Sequence, residues 1–281
     1  MSLTLEKVTQ NLIASPPGIY FRLKEAIEDP DSTFEDFSQF ISADPALAAR
    51  LLKIVNSPFY GLGGRIETIP HALNIVGTDH LSELALATSV ISNFEGIPKG
   101  LVNLKQFWTH CVGTGVAARY IARRRNLEDP DRYYIGGMLH DIGKLVLFRE
   151  VPSRYQEVLE TYAHNKTRNL LDLEMEVMGF THAQIGGILL KEWRLPPALA
   201  DAVQHHHTPD KAKINPRGAA VVHLADFMTY ELQLGDSGEP VLPPLCKITL
   251  RELDLDLNFI REAQSVVTEE TADVLGSFLQ P

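Results

Sequence analysis

The sequence predicts an all-α protein, and three observations lead to that class. Apolar residues recur at helical spacing, as Leu47, Leu51 and Ile54 do. Helix start signals precede most apolar segments, and the alternation of apolar and polar residues that marks strands is scarce. The composition, 44% apolar and 22% charged over 281 residues, is that of an ordinary globular protein. We therefore expect a multi-helix fold with a sizeable core.

Start signals can be read in order along the N-terminal third of the chain. Capping residues or an early proline stand before each periodic run. The signals are a candidate capping box of Ser32 with Glu35, the N-cap Asp44 before Pro45, Thr68 before Pro70, and Thr78. The last two helices are joined by a tight turn, like a helix-turn-helix. Residues 1–100 carry seven Lys and Arg against twelve Asp and Glu, however, which disfavours docking on DNA.

Two turn-rich breaks divide the chain into three parts. The first is "EGIPKG" at residues 95–100, and the second is "GDSGEPVLPP" at residues 235–244, which reads as a surface loop. We predict an N-terminal helical subdomain, a second helical subdomain, and a C-terminal loop with two or three short helices packed on the second. These parts span residues 1–98, 99–235 and 236–281.

Charge and cysteine content restrict the class of protein further. The formal net charge is −10, whereas nucleic acids and anionic membranes attract clustered lysine and arginine. The chain has no apolar stretch of membrane-spanning length, no signal-peptide pattern at its start, and two cysteines without CxxC spacing. We expect a cytoplasmic protein that binds neither nucleic acid nor membrane.

The stretch "YYIGGMLHDIGKLVLFRE", residues 133–150, places ionisable groups inside an apolar segment. His140 and Asp141 are adjacent within it, and Lys144 follows one turn later. A single inward histidine is more often a core residue whose ring nitrogens have hydrogen-bond partners than a metal ligand. The chemical question is therefore whether other helices direct ionisable groups to the same place.

Helical periodicity places further ionisable side chains on inward faces. They are His110, His182, His206 and Asp226, with His207 at a helix end from which it can turn inward. A capping box of Thr181 and Gln184 puts His182 in a first helical turn. Helical phase and motif leave His205 and His223 outside this set.

Five histidines and two aspartates in one core need partners, because a buried charge without a partner is costly. A divalent metal satisfies neutral imidazole and carboxylate together, and Zn, Mn, Fe, Co and Ni accept such ligands. Mixed nitrogen and oxygen ligands without thiolate are more typical of a catalytic site than of a structural zinc site. The sequence therefore predicts a divalent metal site.

The order of four of these residues resembles a known signature. The H…HD…D pattern of the HD metal-dependent phosphohydrolase superfamily, which holds one metal, is similar to His110, His140, Asp141 and Asp226. The further histidines of its two-metal branches resemble His182, His206 and His207. Lys144 matches the lysine of the "HDIGK" form, which contacts phosphate in active relatives. The resemblance implies one or two ions of Fe, Mn, Zn, Ni or Co, with Asp141 and Lys144 as catalytic residues.

Longer blocks resemble the HDOD domain, an HD-related output domain of bacterial signalling proteins. They include "DPALAARLLKIVNSPFYGLGGRIETIPHALNIVG", "GGMLHDIGKLVLF" and "FTHAQIGGILLKEWRLP", and the resemblance covers roughly residues 12–235. It implies an N-terminal helical bundle packed on an HD-like helical subdomain. It also implies a regulatory module that acts through a signalling protein partner or a small ligand. Many HDOD domains lack part of the metal set, whereas every candidate ligand is present here.

Three functions stay open on these grounds. The first is a signalling module that retains a metal or small-ligand site. The second is an active phosphohydrolase on a nucleotide or other phosphoester, in which metal activates water, Asp141 bridges two ions and Lys144 offsets negative charge. The third is a metal-free hydrogen-bonded core left from an ancestral site. The segment "HHHTPDKAKINPRG" lacks the Gly-Tyr-Pro of HD-GYP enzymes, which argues against cyclic-di-GMP hydrolysis.

Overall fold

The fold is helical throughout the part of the chain that the structure, a computed structural model, describes. Within that part the chain forms helices and loops only, so the predicted all-α class is confirmed. None of the helices there combines the length and apolar character that crossing a bilayer requires. The described residues are 5, 18–62, 64–93, 97–98, 100–165, 168–239 and 241–278.

The chain divides into two compact units, one of residues 15–95 and 269–281, the other of residues 1–14 and 96–268. In the smaller unit, α1, α3 and α4 pack against α5, and Leu23, Leu47, Leu51 and Ile54 are fully buried. Its described helices are α1 (Gly18–Glu28), α2 (Phe34–Ser42), α3 (Pro45–Val55), α4 (Ile69–Val76) and α5 (Thr78–Asn93).

The caps of α2 and α3 test the start signals read from the sequence. Asp44 is the N-cap of α3, as predicted. The capping box of α2 is formed by Thr33 with Asp36, so the predicted pair of Ser32 with Glu35 is wrong by one residue. The Ser32 hydroxyl donates to a carboxylate of the preceding loop instead, which leaves the cap position to the next residue.

The larger unit holds most of the helices. Within it α6 packs mainly on α7 and α13, and α11 packs on α8 and α12. The helices are α6 (Leu104–Arg124), α7 (Pro130–Leu139), α8 (Ile142–Glu150), α9 (Pro152–His164), α10 (Leu170–Met178), α11 (His182–Glu192), α12 (Pro197–Gln204), α13 (Pro216–Glu231) and α14 (Lys247–Leu253). A final helix, α15 (Asn258–Phe278), begins in this unit and ends in the smaller one.

The C-terminal part of the chain differs from the prediction in two respects. Helix α15 has 21 residues, more than the short helices expected there. Phe259, Ala263 and Val267 recur every four residues on its buried face, which sustains the helix. The predicted surface loop after residue 235 is only partly at the surface, since Asp236 is exposed but Ser237 is 1% and Glu239 5% exposed.

A glycine permits the close contact between α8 and α11. A Cβ atom added at Gly143 would collide with the backbone carbonyl of His182. Only glycine therefore allows the two backbones to approach this closely. The contact brings the start of α8, which follows Asp141, against the start of α11, which His182 begins.

Candidate metal centre

The structure brings the seven predicted metal ligands together in the larger unit. One comes from the second turn of α6, two from the junction of α7 and α8, one from the start of α11, two from the turn after α12, and one from α13. They are His110, His140, Asp141, His182, His206, His207 and Asp226. Asp226 is 2% exposed and His207 is partly exposed, while the other five are fully buried.

Asp141 stands between the histidines, with one carboxylate oxygen facing each side. Its Oδ2 atom lies 3.2 Å from Nε2 of His140 and 4.0 Å from Nε2 of His110. Its Oδ1 atom lies 3.5 Å from Nε2 of His182 and 3.7 Å from Nε2 of His206. This arrangement allows one carboxylate to serve two neighbouring ions.

The donor atoms form overlapping groups small enough to surround an ion. Within each group the candidate ligand atoms all lie within 4.8 Å of one another. The groups are His110 with His140 and Asp141, then His140 with His206 and Asp226, then Asp141 with His182, His206 and His207. Asp226 Oδ1 lies 3.1 Å from Nε2 of His110 and 3.6 Å from Nε2 of His140, so it closes the first side of the centre.

Hydrogen bonds fix how the imidazole rings present themselves. Nδ1 of His140 lies 2.6 Å from the carbonyl oxygen of Gly137, and Nδ1 of His206 lies 2.7 Å from that of Val203. A carbonyl only accepts, so each Nδ1 carries the proton. In the neutral ring, the lone pair is then on Nε2, which faces the carboxylates.

Several inward atoms have no hydrogen bond with any described residue. They are both ring nitrogens of His110, Nε2 of His140 and His206, Oδ1 of Asp141 and Oδ1 of Asp226. Buried polar atoms ordinarily have a partner, and acceptor atoms that face each other repel unless a proton or a cation lies between them. A divalent cation with nitrogen and oxygen ligands removes that repulsion, so the residues fit the predicted metal.

The protonation states follow from burial and from the carboxylates. Burial lowers the pKa of His206 and His207 well below the ordinary value, with neighbouring histidines adding to the effect, so both rings are neutral. Burial also lowers the pKa of His140, but Asp141 and Asp226 outweigh it and raise the pKa to about 10. Burial raises the pKa of Asp141, but His140 and Lys144 outweigh it and keep the carboxylate ionised.

We expect metal binding to release about one proton per chain at neutral pH, because a ligand must lose its proton before it binds. Below a pKa of about 10, His140 in the metal-free centre carries that proton. Metal affinity should therefore fall as the pH is lowered and rise as the pH approaches that value. Calorimetric titration in two buffers of different ionisation heat measures the release. A release near zero would contradict the protonation of His140.

Lys144, the second predicted catalytic residue, lies beside the centre and is 1% exposed. Its Nζ atom donates to Oδ2 of Asp141 at 2.7 Å and to Oγ of Ser237 at 3.0 Å, and it also contacts the Glu239 carboxylate. Burial raises the pKa of Glu239 to about 7, although Lys144 opposes that effect. Sequence reasoning missed Ser237 and Glu239, since loop residues carry no periodic signal of burial.

Glu174 is a second residue that sequence reasoning missed. It is fully buried on α10, and its two carboxylate oxygens lie 2.7 and 2.9 Å from Nδ1 of His182. The same carboxylate accepts from the backbone amide of His182 at 3.0 Å. It thereby directs Nε2 of that ring to the centre. Periodicity contained the signal, because Glu174 shares its buried face with Leu170 and Met178.

Replacement of Glu174 by glutamine should weaken metal binding by about 10- to 100-fold, the usual effect of losing a partner that orients a ligand. Competition with a chelator measures the affinity. Glu176→Gln is the matched control, because Glu176 lies on the same helix with its side chain 62% exposed. Unfolding of the metal-free variants separates lost positioning from lost folding. Equal affinity in the two variants would contradict the role assigned to Glu174.

The two histidines that helical phase left out lie at the edge of the centre. His223 is 2% exposed, its Nδ1 atom lies 2.7 Å from the carbonyl oxygen of His206, and its Nε2 atom accepts from the amide of Cys246. It therefore supports the turn that carries two candidate ligands. His205 is partly exposed and lies 3.7 Å from a carboxylate oxygen of Asp201.

A cavity of about 350 Å³ reaches the centre from outside at His207. Polar side chains from α11 and from the turn after α12 line much of it. They include Thr181, Gln184, Gln204, His205 and Lys211. Because His207 is the exposed member of the seven, this cavity gives a small molecule access to the edge of the centre.

Comparison with known proteins shows which proteins this chain resembles. The HDOD domain family model matches residues 13–209. A protein of Treponema pallidum (strain Nichols), described as uncharacterized, is 30% identical over 196 residues. That match covers 68% of this chain and 37% of the relative, so this chain spans little more than a third of it.

Solved structures share the fold at low sequence identity. An HDOD domain protein of unknown function from Geobacter sulfurreducens has a TM-score of 0.76 and 23% identity, with 98% of both chains covered. A candidate phosphohydrolase from Shewanella amazonensis SB2B has a TM-score of 0.74 and 21% identity, covering 96% and 97%. A candidate signal-transduction protein from Marinobacter aquaeolei VT8 has a TM-score of 0.71 and 21% identity, covering all of this chain and 62% of that one.

Proposed function

The chain belongs to the HDOD domain family, and we propose that it is a regulatory module of bacterial signal transduction that holds divalent metal. The observation that carries the proposal is the convergence of buried imidazole nitrogens and carboxylate oxygens that have no hydrogen bond, which come from four parts of the larger unit. Maintaining so many unsatisfied groups in one core is costly unless a cation occupies the space between them. We place its action in the cytoplasm.

Two sets of residues would hold the ions. The first set is His110, His140 and Asp141 with Asp226, whose Oδ1 atom lies close to both histidines, and the second is Asp141, His182, His206 and His207. A bound divalent ion supplies positive charge and Lewis acidity. The chain orients the rings through their Nδ1 hydrogen bonds and keeps water from the five fully buried ligands.

The surroundings of the centre support regulation over catalysis. Lys144, the group expected to offset negative charge on a phosphate, is already neutralised by Asp141 and Glu239. The centre is accessible through the cavity at His207, which is large enough for a small ligand. Binding of such a ligand would change how the chain interacts with a signalling protein partner. The Marinobacter relative, named as a candidate signal-transduction protein, is consistent with that role.

The experiment that tests the proposal is metal content per chain, measured by elemental mass spectrometry on protein purified without a metal-affinity tag. We expect a ratio of about one or two ions per chain, as the two ligand sets indicate. Absence of metal after loading with Mn, Fe and Zn would overturn the proposal. The remaining hypothesis would then be a metal-free hydrogen-bonded core left from an ancestral site.

A second candidate function is hydrolysis of a nucleotide or other phosphoester. The observation that favours it is the Asp141 carboxylate, whose two oxygens face the two ligand sets as a bridge between two ions would. The Shewanella relative is named as a candidate phosphohydrolase. Turnover of bis(p-nitrophenyl) phosphate by the metal-loaded chain, lost in Asp141→Asn, would favour this function. Absence of turnover in a fully loaded chain would favour the regulatory module.

A further inference from the structure

The segment that follows α13 enters the centre instead of passing over it. At Gly235 the backbone takes a φ of +79°, and a Cβ atom there would collide with the backbone of α6 at His110. The next amide, that of Asp236, donates to the carbonyl oxygen of Gln106 at 3.0 Å. The segment is thus attached to the turn of α6 that carries a candidate ligand.

Two side chains of this segment reach Lys144. The Ser237 hydroxyl lies 3.0 Å from Nζ of Lys144 and 2.7 Å from the hydroxyl oxygen of Tyr230. The Glu239 carboxylate contacts the same Nζ atom from a position that is 5% exposed. The segment therefore delivers a buried anion to a cation that already touches Asp141.

The charges of the centre explain what this anion does. With neutral histidines, the carboxylates of Asp141, Glu174, Asp226 and Glu239 against the ammonium of Lys144 leave three net negative charges, and one divalent ion reduces them to one. A phosphate would add further negative charge at the same place. Without the Glu239 carboxylate, the centre loaded with one ion would lose its remaining negative charge, and the Lys144 ammonium would attract an anion more strongly.

We infer that Glu239 determines the ligand specificity of the centre: its carboxylate neutralises the Lys144 ammonium and, as a like charge beside it, excludes phosphate ligands. The inference rests on the proposed function, because it concerns the same metal centre. The lining of the 350 Å³ cavity at His207 does not include Glu239, so we expect a ligand that binds in this cavity without reaching Lys144 to be unaffected by its carboxylate.

The test is the affinity of metal-loaded Glu239→Gln for orthophosphate, measured by calorimetric titration at alkaline pH, where Glu239 is ionised in the unaltered chain. Glutamine keeps the size of the side chain and an oxygen that accepts from Lys144. We expect affinity to rise at least about tenfold, as the loss of one nearby like charge requires. Unchanged affinity at unchanged metal content would overturn the inference.

The double variant Lys144→Met/Glu239→Gln is the control. It removes both members of the ion pair and should show no gain in phosphate affinity. An equal gain in the double variant would overturn the inference, because the effect would then not depend on Lys144. Metal content is measured on the same samples, and the titration is repeated without metal. Absence of metal contradicts the proposed function, whereas the affinity difference between the two variants tests Glu239.

If Glu239→Gln does not fold, the unaltered chain provides the measurement. Hydrogen exchange of the backbone amides at residues 235–239 is recorded with and without a large excess of orthophosphate. Faster exchange with phosphate is expected, since phosphate must displace the Glu239 carboxylate to reach Lys144. The inference would be overturned if phosphate binds but the amides of residues 235–239 exchange at the same rate. It would also be overturned if these amides show no protection from exchange either with or without phosphate.

Discussion

Replacement of Asp141 by asparagine is expected to remove metal from both ligand sets, with bound metal falling to near zero per chain. Asp141 is the residue that the two sets share, and its oxygens face His110 and His140 on one side and His182 and His206 on the other. The amide is neutral and offers one oxygen, so each set loses charge and one loses a ligand atom. Elemental mass spectrometry of the purified variant measures the loss.

Asp210→Asn is the matched control, because Asp210 is exposed on the short turn at Pro209–Lys211. It should retain the metal content of the unaltered chain. Retention of metal in a folded Asp141→Asn variant would contradict the central position assigned to Asp141. Loss of one ion out of two would show that one set binds without the shared carboxylate.

Replacement of Lys144 by methionine is expected to destabilise the fold by about 3–5 kcal/mol, the usual cost when one partner of a buried ion pair is removed. Lys144 is 1% exposed and contacts both Asp141 and Glu239. Methionine fills similar space but donates no hydrogen bond, so both carboxylates stay buried without their cation. Denaturant unfolding of the metal-free variant measures the change in free energy of unfolding.

The second substitution Glu239→Gln should restore much of the lost stability, because it removes one of the two carboxylates left behind. Lys105→Met, at an exposed position on α6, is the matched control and should change the free energy of unfolding little. A Lys144→Met variant as stable as the unaltered chain would contradict the buried ion pair. A Lys144→Met/Glu239→Gln double variant no more stable than Lys144→Met would contradict the assignment of part of the cost to Glu239.

The parts that sequence reasoning could predict depend on local periodicity. His182 shows why: its capping box, Thr181 with Gln184, is present in the structure and makes it the first residue of α11. Helical phase then directs the ring inward, as it does for His110 and Asp226. Capping and periodicity act within one helix. They were sufficient to predict the all-α class and to predict that the seven side chains lie together.

The parts that sequence reasoning missed depend on contacts between distant segments. Glu239 is 95 residues from Lys144, and it is buried because Gly235 turns the backbone against α6. A turn-rich composition predicts a loop but not its path. Glu174 is an intermediate case. Helical periodicity could have placed it on a buried face, whereas its contact with His182 could be recognised only from the three-dimensional structure.

The burial of the centre has a kinetic consequence. Five of the seven side chains are fully buried, Asp226 nearly so, and the exposed edge is at His207. An ion held there can leave only after that edge opens, so exchange would follow the rate of opening and not the strength of binding alone. The metal found in isolated protein would then record the supply available when the chain folded, and brief dialysis would not replace it.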